Sequence, residues 1–317
     1  MKFRLGIAGL CTSHPINWIP VIRELDREGF CSVEIAALWD SGETRPAGFA
    51  ADFARKQGLE KAALPRTLEE MVPLVDGVII HTANWDRHLE QAAPFIEAGA
   101  AVLLDKPVVG NMKDAATVLD WLKQGHRITG GSSLRYCRET SEILSCPGSE
   151  RGEIRTVCSA VGSDEFNYGI HGYSLICGLM GPGARSARYL GGGKFRQIML
   201  NWENGRTAFL TLAGPAGLPF NAAVTAEKKY FQFQVDNAEI YRSMLKFQLP
   251  YLTGQCADAP HEPADFLTPE LLALAARESW KHGGTEVFLS DLHLDTEGYD
   301  GHLFAAAYRR SRMKPGR

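Results

Sequence analysis

The first residues whose types and spacing could do chemistry lie at Gly9-Leu10-Cys11-Thr12-Ser13-His14. They follow the apolar run Phe3 to Gly9 and precede a helical pattern from Ile16 to Leu25, with Ser13 as candidate N-cap and Pro15 in the first turn. A strand that turns on glycine into a helix presents backbone N–H groups to a phosphate, and glycines let the phosphate approach. Only Gly9 of the usual GxGxxG spacing is present; Cys11 and His14 take the other glycine positions. The turn alone is therefore weak. In one reading phosphate meets the helix N-terminus, helped by the Thr12 and Ser13 hydroxyls. In the other the turn holds no cofactor and His14 is a polar residue opening a helix. Asp40 supports the first reading. It closes the next apolar run, Val33 to Trp39, where a carboxylate accepts hydrogen bonds from ribose hydroxyls and repels a 2′-phosphate. NAD is expected over NADP, with Arg45 near enough to soften that preference.

These residues need a sheet to hold them. Short apolar strands at Val75 to Ile80, Ala101 to Leu104 and Arg127 to Gly130 alternate with helical patterns at Phe49 to Gly58, His88 to Gly99 and Asn111 to Gln124. Such alternation predicts a parallel, doubly wound Rossmann-type α/β domain over residues 1–133. The pattern then changes. Ile198 to Trp202 and Thr207 to Leu212 flank Glu203-Asn204-Gly205-Arg206, a hairpin signal. Phe231, Phe233 and Val235 alternate with glutamines, a face that could be core or interface, and Thr268-Pro269-Glu270 opens a helix running to about His282. Residues 134–317 are expected to form an α+β domain on an open, mainly antiparallel sheet.

Composition narrows the partners. The 317 residues carry 34 Lys and Arg against 37 Asp and Glu, a net charge of -3, which provides no field for nucleic acid or an anionic membrane. The seven cysteines form no CxxC pair, so no metal site and no disulfide framework is expected, and a reducing cytoplasm fits best. The apolar run after Lys2 and Arg4 is too short for a signal peptide, and none approaches the ~18 residues of a membrane span.

The segment from Ile79 to Pro107, IIHTANWDRHLEQAAPFIEAGAAVLLDKP, is more specific. It resembles the Gfo/Idh/MocA family of nicotinamide-dependent oxidoreductases, in which a strand, a Thr-Pro-Asn-like turn, a helix, an Ala-Gly stop and a strand lead to Glu-Lys-Pro. Here the turn is Thr82-Ala83-Asn84, with His88 beyond it, and the last motif is Asp105-Lys106-Pro107. The resemblance continues through Gly130 to Tyr136, Asn167-Tyr168-Gly169-Ile170-His171 and Ala276 to Gly283. It implies that Lys106 faces nicotinamide and substrate, polarising an oxygen or relaying its proton, and that His171 is the general acid/base. Arg135, Tyr136, Asn167 and Tyr168 would line the substrate, and Thr82, Asn84, His88 and Asp105 the cofactor. Trp39 and Trp85 read as packing or adenine-edge contacts.

The resemblance implies an NAD(H)-dependent oxidoreductase acting on a sugar, cyclitol or related polyhydroxy compound, with residues 134–317 as substrate-binding and oligomerisation domain, assembled as a homodimer or homotetramer through the open sheet face. Asn167 replaces the family's motif aspartate, and Ser174 stands where many relatives carry an acid; Asp164 or Glu165 could compensate. Two other readings stay open. One is a non-redox lyase or hydrolase that recycles bound NAD. The other is a binding homologue that has lost turnover.

Overall fold

The computed structural model describes residues 1–46, 48–214 and 217–312. Five strands form the first sheet: β1 (Phe3–Ala8), β2 (Val33–Trp39), β3 (Gly77–Ile80), β4 (Ala101–Asp105) and β5 (Ile128–Gly131). They are parallel, in the order β2-β1-β3-β4-β5. Strands of a parallel sheet are covered on both faces, which explains why β3 and β4 are buried along their whole length. Helix α1 (His14–Arg27) covers one face, where Trp18, Ile19 and Ile22 pack on Leu5, Ile7 and Leu103. The longer helices that follow are α2 (Phe49–Lys56), α3 (His88–Glu97) and α4 (Met112–Lys123). Phe95 and Ile96 of α3 and Val118 of α4 cover the other face, against Ile80, Val102 and Leu104.

After α5 (Arg138–Ser145) the chain builds a second sheet from β6 (Ile154–Gly162), β7 (Ala184–Gly191), β8 (Arg196–Trp202), β9 (Thr207–Gly214), β10 (Asn221–Ala226), β11 (Tyr230–Gln234) and β12 (Val287–Phe288). Its order is β11-β10-β6-β9-β8-β7-β12. All neighbours are antiparallel except β6 and β9. The expected hairpin is β8–β9, with Ile198 opposite Leu210. Phe231 and Phe233 are half-buried on the core side of the edge strand β11. Helix α6 (Gly169–Met180) is buried almost throughout and lies on this sheet. A Cβ at Gly172 would come 2.6 Å from Leu210 and 2.8 Å from Val161, so glycine is what lets α6 press onto β6 and β9.

The longer helices after the second sheet's main strands are α7 (Ile240–Leu252), α8 (Thr268–Lys281) and α9 (Gly301–Arg312). Their placement departs from a clean division near residue 134. The apolar stripe Met244, Leu245, Leu249 and Leu252 of α7 packs on the first sheet beside α1. Helix α9 crosses back to the turn after β1: Tyr308 Oη donates to Cys11 O at 3.4 Å, and Arg309 donates to Glu43 O at 3.1 Å. Local caps also differ from expectation. Ser13 occupies the N-cap of α1 without a side-chain bond, and the Thr12 hydroxyl accepts from His14 N–H at 3.2 Å instead. Leu267, not Thr268, precedes α8.

Gly9 fixes the level at which α1 leaves the sheet. Its φ is +86°, and a Cβ there would lie 2.5 Å from Thr82 N and 2.8 Å from Thr82 Cα. Both the conformation and the contact exclude a side chain. Gly9→Ala is expected to cost about 2–4 kcal/mol, read as a lowered midpoint in thermal or urea unfolding; an unchanged midpoint would show that the turn does not need this geometry.

Candidate active site

The two sheets meet at a cavity of about 390 Å³. The ends of β1, β3 and β4 supply Thr12, Ser13, His14, His81, Thr82, Asp105 and Lys106. The start of α6 brings Asn167, Tyr168 and His171, and α7 and α9 add Tyr241, Phe304 and Tyr308. This is the carboxyl-end crevice in which open parallel sheets bind ligands.

Asp105 lies at its centre. One carboxylate oxygen, Oδ2, bonds His14 Nδ1 at 2.5 Å and His81 Nδ1 at 2.8 Å, while Oδ1 accepts Lys106 N–H at 2.7 Å. Burial alone would raise its pKa, but the charge and hydrogen bonds of His14 and His81 outweigh that and hold it well below the usual carboxylate range. Burial pushes His81 down, partly offset by Asp105. The His14 ring stacks on Trp18, with centroids 5.5 Å apart, so a side chain now fills the position of the third motif glycine.

Lys106 reaches across to the second sheet. Its Nζ donates to Asn167 O at 3.0 Å and to Asn167 Oδ1 at 3.1 Å. Burial lowers its pKa against the opposing charges of Asp105 and Asp164. His171 is buried, and its Nδ1 shares a 2.7 Å hydrogen bond with Ser132 Oγ, leaving Nε2 for another partner. Burial, then the charges of Lys106 and His14, hold His171 well below the usual imidazole range. A neutral imidazole beside an ammonium group can take a proton from a hydroxyl whose oxygen the ammonium polarises.

The turn after β1 fits a phosphate. The N–H groups of Thr12 and Ser13 stand at the N-terminus of α1 and donate to no described residue. Asp40 ends β2 as expected, but its carboxylate already accepts Leu10 N–H at 2.7 Å and Gly42 N–H at 2.9 Å. Arg45 donates to Cys11 O at 3.0 Å, so the loop after β2 and helix α9 both lie over the turn. The residues fit a dinucleotide at its pyrophosphate and nicotinamide end, with Asp40 available to a ribose on its remaining lone pairs.

Several sequence expectations need correction. Arg135 and Tyr136 do not reach the cavity. Arg135 donates to the carbonyls of Asp265 and Phe266, and the buried Tyr136 hydroxyl pairs with His261 Nε2 at 2.7 Å. His88 is wholly buried, bridging Val108 O and Thr82 O, and ties strand ends rather than touching nicotinamide. Asn84 caps Asp86 N–H and donates to Glu43, while Nδ2 also contacts His302, all outside the cavity. Gly9 and Cys11 shape the turn from beneath; the Cys11 thiol accepts Ala83 N–H at 3.2 Å. Asp164 caps the N–H groups of Phe166 and Tyr168, and Glu165 pairs with Arg196 and Tyr299, so neither replaces the missing motif acid. Trp39 and Trp85 donate to backbone carbonyls in packing roles. Sequence reasoning missed His81, Tyr241, Phe304 and Tyr308. Only His81 carried a signal, an imidazole ending an otherwise apolar strand.

Residues 3–130 match the family model described as "Oxidoreductase family, NAD-binding Rossmann fold". That model is of the Gfo/Idh/MocA family, and the match spans the first sheet. The match describes residues 3–130 as an NAD-binding Rossmann fold of an oxidoreductase family. The whole fold is similar to a probable dehydrogenase from Thermotoga maritima (TM-score 0.75, 15% identity, covering 92% of this chain and 100% of that one). It is similar to a putative myo-inositol dehydrogenase from Sinorhizobium meliloti 1021 (TM-score 0.73, 15%, 91% and 100%). It also resembles scyllo-inositol dehydrogenase from Lactobacillus casei, solved with NAD(H) and scyllo-inositol (TM-score 0.73, 14%, 92% and 100%). No curated protein is significantly similar to it by sequence.

The segment that carries Lys106 is pinned from below by a buried acid. Val108 N–H donates to Glu270 Oε1 at 3.0 Å, and burial raises Glu270 from its ordinary 4.5 to about 7. The folded state thus holds a proton that the unfolded chain releases, and stability falls as pH rises from about 4.5 to 7. The full loss is about 3 kcal/mol at 1.36 kcal/mol per pKa unit. Glu270→Gln keeps an acceptor and removes the titration. Its melting temperature is expected to match wild type near pH 5 and exceed it at pH 8. An equal difference at both pH values would contradict the buried-acid account.

Proposed function

We propose that the protein is an NAD(H)-dependent oxidoreductase that interconverts a secondary alcohol and a ketone on a sugar, cyclitol or related polyhydroxy substrate. The observation that carries this reading is the convergence of Lys106, Asn167 and His171 on one cavity that also opens onto the N–H groups of Thr12 and Ser13, which donate to no described residue. Bound NAD supplies the hydride acceptor. His171 takes the hydroxyl proton at Nε2, with Nδ1 held by Ser132, and Lys106 polarises the oxygen. Asn167 and Tyr168 offer polar contacts to neighbouring hydroxyls. The dehydrogenases of similar fold named for inositols support a polyol as substrate class.

Assembly into a homodimer or homotetramer fits the exposed face of the second sheet. Phe209 is 39% exposed there and pairs in register with exposed Cys158 on one side and with Met199 on the other. Phe231 and Phe233 pack toward the core, so this row is the better interface. Light scattering reads the stoichiometry.

Calorimetric titration with NAD, NADH, NADP and NADPH tests the cofactor, and a polyol and sugar screen tests turnover. Micromolar binding, tighter for NAD than NADP and weakened by Asp40→Ala, is expected. Lys106→Ala and His171→Ala should each lower turnover by about 10²–10⁴-fold. Full activity in both variants would remove the assignment. NAD binding without net redox in a broad screen would favour the lyase-type reading, and no binding at all the cofactor-free homologue.

A further inference from the structure

His14, His81 and Asp105 each offer a ligand atom, and these atoms lie within 4.8 Å of one another. They come from three separate strand ends, at β1, β3 and β4, and all three line the cavity. Local sequence spacing therefore could not announce them.

The three groups converge on one atom. A single oxygen, Asp105 Oδ2, serves both ring nitrogens. His81 is completely buried, yet its Nε2 has no partner among the described residues. Both imidazoles turn Nδ1 to Asp105, so the donor set is the two Nδ1 atoms and the carboxylate. Two imidazoles and a carboxylate match the donor set of Zn²⁺, Fe²⁺ or Co²⁺. Tetrahedral coordination with bonds of ~2.0–2.1 Å places ligand atoms roughly 3.3 Å apart. From 2.5 and 2.8 Å the two histidine nitrogens need move from Asp105 by less than about 1 Å, and toward each other by up to about 1.5 Å, to reach that spacing.

We propose that His14, His81 and Asp105 form a binding site for a divalent transition metal at the floor of the cavity. Three protein ligands leave coordination positions open, and all three line the cavity that Lys106 and His171 also line. The open positions would take hydroxyl or carbonyl oxygens of a bound polyhydroxy ligand, or water. The inference stands on the cluster alone and does not depend on NAD.

Full-length protein stripped with a chelator and titrated with Co²⁺ tests it. The expected result is one Co²⁺ per chain, a visible d–d band, and quenching of the fluorescence of Trp18, which stacks on His14. His81→Ala and His14→Gly should each weaken binding by about 100-fold or more. His14 is partly exposed at a turn and glycine is the motif residue there, so that variant remains informative should His81→Ala unfold. Circular dichroism checks the fold of both. Absence of saturable binding and of the visible band in wild type would overturn the proposal. So would unchanged stoichiometric binding in folded His14→Gly. An NAD titration of the same stripped protein is read separately, so failure of the metal site and failure of the cofactor reading are distinguishable.

Discussion

The carboxylate of Asp105 is the constraint on which the site depends. It ends β4, receives two histidines from neighbouring strand ends, and accepts the N–H of Lys106. A charge this deeply buried persists only with partners. Its partners fix the side chain of His14, and through the backbone they fix where Lys106 departs toward Asn167. Glu270 holds the next turn of the same segment through Val108. Two buried acids, one kept charged and one pushed toward neutrality, thus frame a single lysine.

The second half of the chain turns this frame into an enclosed site. Glycine at 172 lets α6 settle on β6 and β9, which puts His171 against Ser132 at the end of the first sheet. Helix α7 leaves the second sheet and roofs α1, bringing Tyr241 to the cavity, where burial and then the charge of Asp105 push its phenol up to about 12. Helix α9 returns over the turn after β1. The division of labour is therefore by layer and not by position in the chain.

Much of this was legible in the sequence, because periodicity and glycine stops report local structure directly. The strand Val33–Trp39 and the β8–β9 hairpin lie where their patterns place them. Lys106, Asn167, Tyr168 and His171, singled out by the family resemblance, line one cavity. The failures are long-range. Arg135 and Tyr136 follow β5 as expected, but a 3-10 turn directs them to Asp265, Phe266 and His261. His88 and Asn84 are satisfied by backbone and by α9, which no local pattern reveals. The union of His14, His81 and Asp105 requires the sheet order, which adjacency in the sequence does not give.

The most direct measurement is a crystal structure of the protein soaked with NAD. The account predicts pyrophosphate on the N–H groups of Thr12 and Ser13, the nicotinamide ring between Lys106 and His171, and the loop after β2 with α9 adjusted around the adenosine. NAD bound away from Lys106, or a turn that stays covered by Arg45 and Tyr308 with no nucleotide beneath, would contradict it.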